Sequence, residues 1–222
     1  MTGTAALTPP RAGLRLIPLL ASLTLAGVAC GGPSEAELVQ RQPWEVTVYY
    51  TAVESLHSDA PVQVRGCLDG DGCDHGQDLL GEYPRSFATA VRDEGTGRVT
   101  GGAHAGQYLN WSYDIGYWLD DAPRDAHGRP LEPFRSAAAT GLPDDTALRL
   151  VDCGRLDSGD PVPRAVCDAL RAGHWEVRDR FTPGVGGDRQ IDLYIGEETG
   201  RHFTASGLLY VSLRDAAFRA GN

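Results

Sequence analysis

The 222-residue chain has no lysine; its 20 basic side chains are all arginine and stand against 30 acidic ones, a formal net charge of −10. It lacks the basic stripe that nucleic acid demands and the polybasic surface that docks on anionic lipid, so neither partner is expected. Its longest apolar run, from Leu16 to Ala29, falls short of the roughly 20 residues that span a bilayer. No repeat recurs at a fixed period, which argues against solenoids and propellers. CxxC and HExxH are both missing and the six histidines are scattered, so no zinc site is expected. Glycine loops for phosphate or dinucleotide, and the GxSxG elbow of serine hydrolases, are missing as well. No cofactor is expected.

Turn chemistry is abundant instead. There are 28 glycines and 14 prolines, a composition that suits a turn-rich β fold better than a helical one. At about 100–200 residues per domain, the length allows one domain with a short accessory segment.

That segment stands at the front. Arg11 and Arg15 precede the apolar run, which ends Ala26-Gly27-Val28-Ala29-Cys30. Small residues before a cysteine resemble a bacterial lipoprotein signal, with Cys30 as the lipidated residue. The alternative is an ordinary cleaved secretory signal that leaves Cys30 as a stray thiol. The organisation expected is a leader over 1–29, a lipidated cysteine and flexible tether over 30–43, and a folded body over 44–222. The lipid anchor would hold that body on the outer face of the cytoplasmic membrane.

Four cysteines remain in the body: Cys67, Cys73, Cys153 and Cys167. An even number in an oxidising compartment suggests disulfides, with three pairings open. Cys67–Cys73 with Cys153–Cys167 is the simplest, because each pair brackets a loop rich in glycine and aspartate.

Strands are expected over Trp44–Ala52, Phe134–Ala139, Thr146–Asp152, His174–Asp179, Arg189–Ile195 and Leu208–Leu213. Helices are expected over Pro84–Glu94 and Pro163–Ala172, each with proline at its start and glycine after its end. Six strands and two short helices make the body mainly β, and the long turns favour a small barrel. Residues 67–81 read as a loop, and 107–119 as an aromatic stretch of open secondary structure.

The segment from Trp175 to Gly196 carries the clearest chemistry. Ile191, Leu193 and Ile195 alternate onto one face, so Asp192 and Tyr194 face the other way. An aspartate centred in an apolar strand beside a glycine-rich loop is a candidate general acid, because partial burial raises its pKa toward neutrality. The competing reading is a solvent-facing aspartate on a half-exposed strand. Asn110 to Trp118 holds Trp111, Tyr113, Asp114 and Trp118, which suit a sugar platform: aromatic faces pack on pyranose C–H faces and polar groups bind hydroxyls. Tyr50 on the first strand is counted with them. The alternative is that Trp111 or Trp118 fills the core.

Asp179, the glycines after it and Gly187-Asp-Arg-Gln-Ile-Asp192-Leu-Tyr resemble the three-aspartate domain motif of membrane-bound lytic transglycosylase A and its relatives. Phe134 to Leu150 and Val48 to Ala52 resemble two other segments of that domain, in the same order. The resemblance implies a six-stranded double-psi β-barrel, with residues 53–133 as a loop-rich insertion or part of the wall. It implies a cell-wall glycan as partner. It implies Asp192 as the catalytic acid and Asp179 as the second aspartate of the motif; the first aspartate falls on Ser136–Ala139 and is absent. Cleavage with closure of a 1,6-anhydro ring needs only Asp192, which returns to its starting state. Inverting hydrolysis needs a second carboxylate roughly 6.5–9.5 Å away, for which Glu54, Asp114 and Asp179 are candidates. A glycan- or protein-binding envelope lipoprotein on the same barrel is the alternative function.

Overall fold

A computed structural model describes residues 34–40 and 43–220. The leader and Cys30 lie outside the described residues. Twelve strands run in chain order: β1 (Trp44–Val53), β2 (Pro61–Cys67), β3 (Asp78–Pro84), β4 (Thr96–Arg98), β5 (Tyr108–Ser112), β6 (Gly116–Asp120), β7 (Ser136–Ala139), β8 (Ala147–Asp152), β9 (Arg155–Leu156), β10 (Trp175–Asp179), β11 (Gln190–Glu197) and β12 (Leu213–Ala220). The helices are α1 (Glu35–Val39), α2 (Arg85–Glu94), α3 (Arg164–Ala172) and α4 (Phe203–Ser206).

Six strands close a barrel in the order β1-β11-β7-β10-β8-β12, and β12 returns to pair with β1. Closure removes the exposed edges that an open sheet of this length would carry. Inside, Val46 and Val48 of β1 meet Ile191 and Leu193 of β11, Trp175 and Val177 of β10, and Leu148 and Leu150 of β8, all buried. Each such side chain contributes about 1.5–3 kcal/mol by leaving water. The short strand β7 lies between β11 and β10, and its three alanines leave room for its neighbours' larger side chains.

Residues 53–133 form an insertion with its own sheet, ordered β3-β2-β6-β5-β4. It is attached through β1, whose last two residues leave the barrel register to pair Ala52 with Gly97 and Val53 with Arg98. Helix α2 covers it. Phe87, Ala88 and Val91 form the buried face of α2, and Gly95 ends the helix at φ 88° with its N–H on the Val91 carbonyl. That conformation favours glycine, the usual helix stop. The stretch read as a loop over 67–81 is loop only between β2 and β3, and the aromatic stretch is the hairpin β5–β6.

Both disulfides have the short-loop pairing, Cys67–Cys73 and Cys153–Cys167. The second ties β8 to α3, whose Val166 and Leu170 are buried. Within the stretch read as a tether, Glu35–Val39 is a single helical turn; Val39 is buried and its carbonyl accepts the Trp44 indole N–H at 2.9 Å. The strand expected over Leu208–Leu213 is corrected. It begins only at Leu213 and runs to Ala220, while Leu209, Tyr210 and Val211 pack against the core from an irregular segment. The physical reason is a turn, closed by the Tyr210 N–H on the Gly207 carbonyl at 3.1 Å, which takes residues 207–210 out of extended geometry; within β12 a bulge at Asp215 (φ 59°) lets Leu213, Ala216 and Phe218 all reach the interior.

Candidate functional site

A cleft of about 480 Å³ opens between the barrel rim and the second sheet. Its floor comes from β1, β7, β10 and β11. One wall is the hairpin β5–β6, and the C-terminal end of α2 closes one side. The register explains the floor. Ala138 of β7 pairs with Asp192 on one side and with Asp179 on the other, and Asp192 pairs with Thr47 of β1. Ile191 and Leu193 turn inward and are fully buried, so the two-residue period points Asp192 away from the core and into the cleft.

Asp192 is enclosed without a charged partner. Its Oδ1 is buried and accepts no hydrogen bond. Burial pushes its pKa up to about 7; a bond from Thr47 and the Leu193 N–H work against the rise, and the charge of Asp179 adds to it. A carboxyl in that state holds a proton near neutrality and can still give it up, as a general acid must. Among the described residues no arginine pairs with it. Arg178 is 2.5 Å from Glu132 instead.

Asp179 is its opposite in hydrogen bonding. Its Oδ1 accepts the N–H groups of Ala126 and Arg180, each at 2.8 Å, and its Oδ2 accepts the Tyr49 hydroxyl at 3.0 Å. Burial raises its pKa, while these three donors oppose the rise. The Tyr49 ring lies 5.2 Å from Tyr194, whose hydroxyl is 2.5 Å from Thr51 Oγ1. Asp179 is thus a fixed acceptor that adds negative charge beside Asp192.

Trp111, Tyr113, Asp114 and Trp118 all line the cleft. Trp118 is nearly buried, whereas the Tyr113 ring is 58% exposed and stands at the rim with Val185, which is 59% exposed. Glu54 and Tyr50 are not brought to Asp192. Glu54 Oε2 accepts the N–H groups of Thr100 and Gly101 at 2.7 and 2.9 Å and so holds a turn of the second sheet. Tyr50 has the inward parity of Val46 and Val48 and packs on Phe203, with ring centroids 4.9 Å apart. Tyr49, one residue earlier, is the tyrosine that reaches the cleft, and that parity was readable from β1 itself.

Sequence reasoning also missed Glu94 and Tyr210. They line this cleft and a second, larger cavity of about 760 Å³. The larger cavity contains neither Asp192 nor Asp179, so volume alone does not locate the chemistry. Among the described residues no cluster of three histidine, cysteine, aspartate or glutamate side chains is arranged to hold a metal.

No family model and no curated protein matches the chain. It is similar in fold to several solved structures. A membrane-bound lytic murein transglycosylase from Agrobacterium tumefaciens aligns over 80% of this chain and 73% of its own, with 13% identity and a TM-score of 0.46. E. coli MltA with bound chitohexaose aligns over 81% and 73%, with 12% identity and a TM-score of 0.47. The lytic transglycosylase LtgG of Burkholderia pseudomallei aligns over 80% and 72%, with 16% identity and a TM-score of 0.41. At such values the likeness is one of backbone course alone, and the chemistry rests on this chain's own cleft.

Proposed function

We propose that the chain is an exported lipoprotein of the cell envelope whose cleft binds a peptidoglycan-type glycan strand and cleaves it with Asp192 as the single acid and base. The carrying observation is Asp192 itself: a carboxyl on the cleft floor with a buried, unbonded oxygen and a pKa raised to about 7. In the first half of the reaction its proton passes to the glycosidic oxygen and the C1–O bond breaks. In the second, its carboxylate takes the proton of the 6-hydroxyl as that oxygen bonds to C1, closing the 1,6-anhydro ring. Asp192 ends protonated, as it began, and water is not consumed.

The roles of the neighbours follow from their contacts. Asp179, held by three donors, keeps negative charge near a developing oxocarbenium centre and helps keep Asp192 protonated. Trp111 and Tyr113 offer apolar faces to the sugar rings. The leader and Cys30 carry the chain to the outer face of the cytoplasmic membrane and anchor it there. Among the described residues no helix is long and apolar enough to cross a membrane.

The test incubates the wild-type chain and Asp192→Asn with purified peptidoglycan and identifies released fragments by mass spectrometry. Anhydro-muropeptides from the wild type alone support the reading. Reducing-end products instead point to hydrolysis with a second carboxylate. No release, with co-sedimentation intact, leaves a non-catalytic binder.

A further inference from the structure

Glu94 is a carboxyl that the proposed reaction does not use, in a place that does not suit a carboxylate. It is the last residue of α2, where the carbonyls of the helix end present negative charge. Asp93 precedes it, and Asp192 acts on it from across the cleft. Among the described residues it has no ion pair. Its nearest side-chain partner is the Tyr210 hydroxyl, which donates to Oε1 at 3.5 Å. It nevertheless forms part of the wall of both cavities, shared with Asp93 and Tyr210. A ligand lying in the cleft against the end of α2 meets this carboxyl.

We propose that Glu94 enters the site as a neutral carboxylic acid whose O–H donates to a carbonyl oxygen of the ligand, namely the acetamido group of an N-acetylated amino sugar. The inference rests on the glycan reading above and adds a specificity to it. A hydroxyl-only sugar offers poorer acceptors, whereas an amide oxygen matches a neutral acid donor. Burial, the first cause, and the charge of Asp192 push the Glu94 pKa up to about 8, against the Tyr50 N–H and the Tyr210 hydroxyl, whose hydrogen bonds lower it. The proton is therefore present through neutral pH and leaves above about 8.

Other groups face the same space. From α2 there are Asp93 and Arg92; from β1, Tyr50; from beyond β11, Glu198, Arg201 and His202; from the segment before β12, Tyr210; and beyond β1, His57 and Asp59. A bare fall of affinity with pH thus does not identify Glu94, and the isosteric amide is needed, since Gln keeps a donor at every pH.

The experiment uses the full chain carrying Asp192→Asn, so that ligand is not consumed, titrated calorimetrically with an N-acetylglucosamine hexamer at pH 6.0 and pH 9.5. Removing Asp192 takes away one cause of the Glu94 shift but not burial, the largest. The Glu94-containing protein is expected to bind about fivefold more weakly at the higher pH, as for loss of one hydrogen bond. Adding Glu94→Gln is expected to abolish that pH dependence and keep the tighter affinity, and Glu94→Ala to be weak at both pH values. A glucose hexamer, which lacks the acetamido group, is expected to show no pH dependence through Glu94. The proposal is overturned if the fall persists in Glu94→Gln, if Glu94→Gln binds as weakly as Glu94→Ala, or if the glucose hexamer shows the same fall. Absence of binding by either hexamer at either pH overturns the glycan reading itself, a result distinct from all of these.

Discussion

At the scale of single residues, two aspartates flank the same alanine and have divergent environments. Asp179 accepts three hydrogen bonds over both its oxygens, whereas Asp192 keeps one buried oxygen, Oδ1, that accepts none. Environments that separate two carboxyls in this way mark an acid and its electrostatic partner. Asp192→Asn is expected to lower glycan cleavage by about 10²- to 10⁴-fold, the range for a positioned general acid; reducing-end and anhydro-sugar assays measure it. Wild-type cleavage is expected to fall as pH rises past about 7, because the acid form is then lost. The same shift has a stability consequence of defined sign. Folding raises the Asp192 pKa from 3.8 to about 7, so the folded state holds the proton more tightly and stability declines between those values. Asp192→Asn removes that penalty. At pH 8 the variant is expected to be more stable than the wild type by on the order of 4 kcal/mol, read as a higher melting temperature, and to match it near pH 3.5.

At the scale of elements, local signals and long-range ones divide what was legible. Strands β1, β8, β10 and β11 and helices α2 and α3 were readable because their apolar periods and their proline and glycine boundaries lie within one segment. The β2–β3 hairpin was not, since Asp78 to Pro84 has little β-branched character and is held by pairing with β2. The position of Asp192 relative to the core was readable from alternation in β11, but its closeness to Asp179 was not, because only the pairing of both strands with β7 creates it. Nothing in the sequence around Glu94 marks it beyond its place at a helix end, because the cleft around it is assembled from remote segments. The contact of α2 with β4 offers a direct test of how tightly these elements fit. A Cβ on Gly97 would lie 2.4 Å from Val91 Cγ2 and 2.7 Å from Phe87 Cε2. Gly97→Ala is expected to destabilise the chain by about 1–3 kcal/mol through overpacking, read from denaturant unfolding with an unchanged slope.

At the scale of the whole molecule, the cleft exists because one strand serves two sheets, and other contacts fix the angle between them. Arg98 of β4 reaches Glu197 of β11 at 2.7 Å, an exposed pair that contributes little. The buried Glu198 is the stronger joint. Its Oε1 accepts the Val53 N–H at 2.6 Å, where β1 passes from barrel to second sheet, and lies 2.9 Å from His57 Nε2. His57 Nδ1 is in turn 2.9 Å from Ser86 Oγ on α2, and that hydroxyl donates to Asp59 at 2.6 Å. The path runs from the barrel through Glu198 to the first turn of α2, whose last residue walls the cleft. Glu198→Gln keeps an acceptor for Val53 and is expected to cost about 1 kcal/mol or less. Glu198→Ala leaves the Val53 N–H and the His57 ring without their partner and is expected to cost about 2–4 kcal/mol. If this joint sets the cleft, Glu198→Ala also weakens glycan binding at temperatures where the chain is still fully folded, although Glu198 lines only the larger cavity and not the cleft. Unchanged affinity alongside lowered stability would instead assign the cleft's width to β1, the strand shared by both sheets, alone.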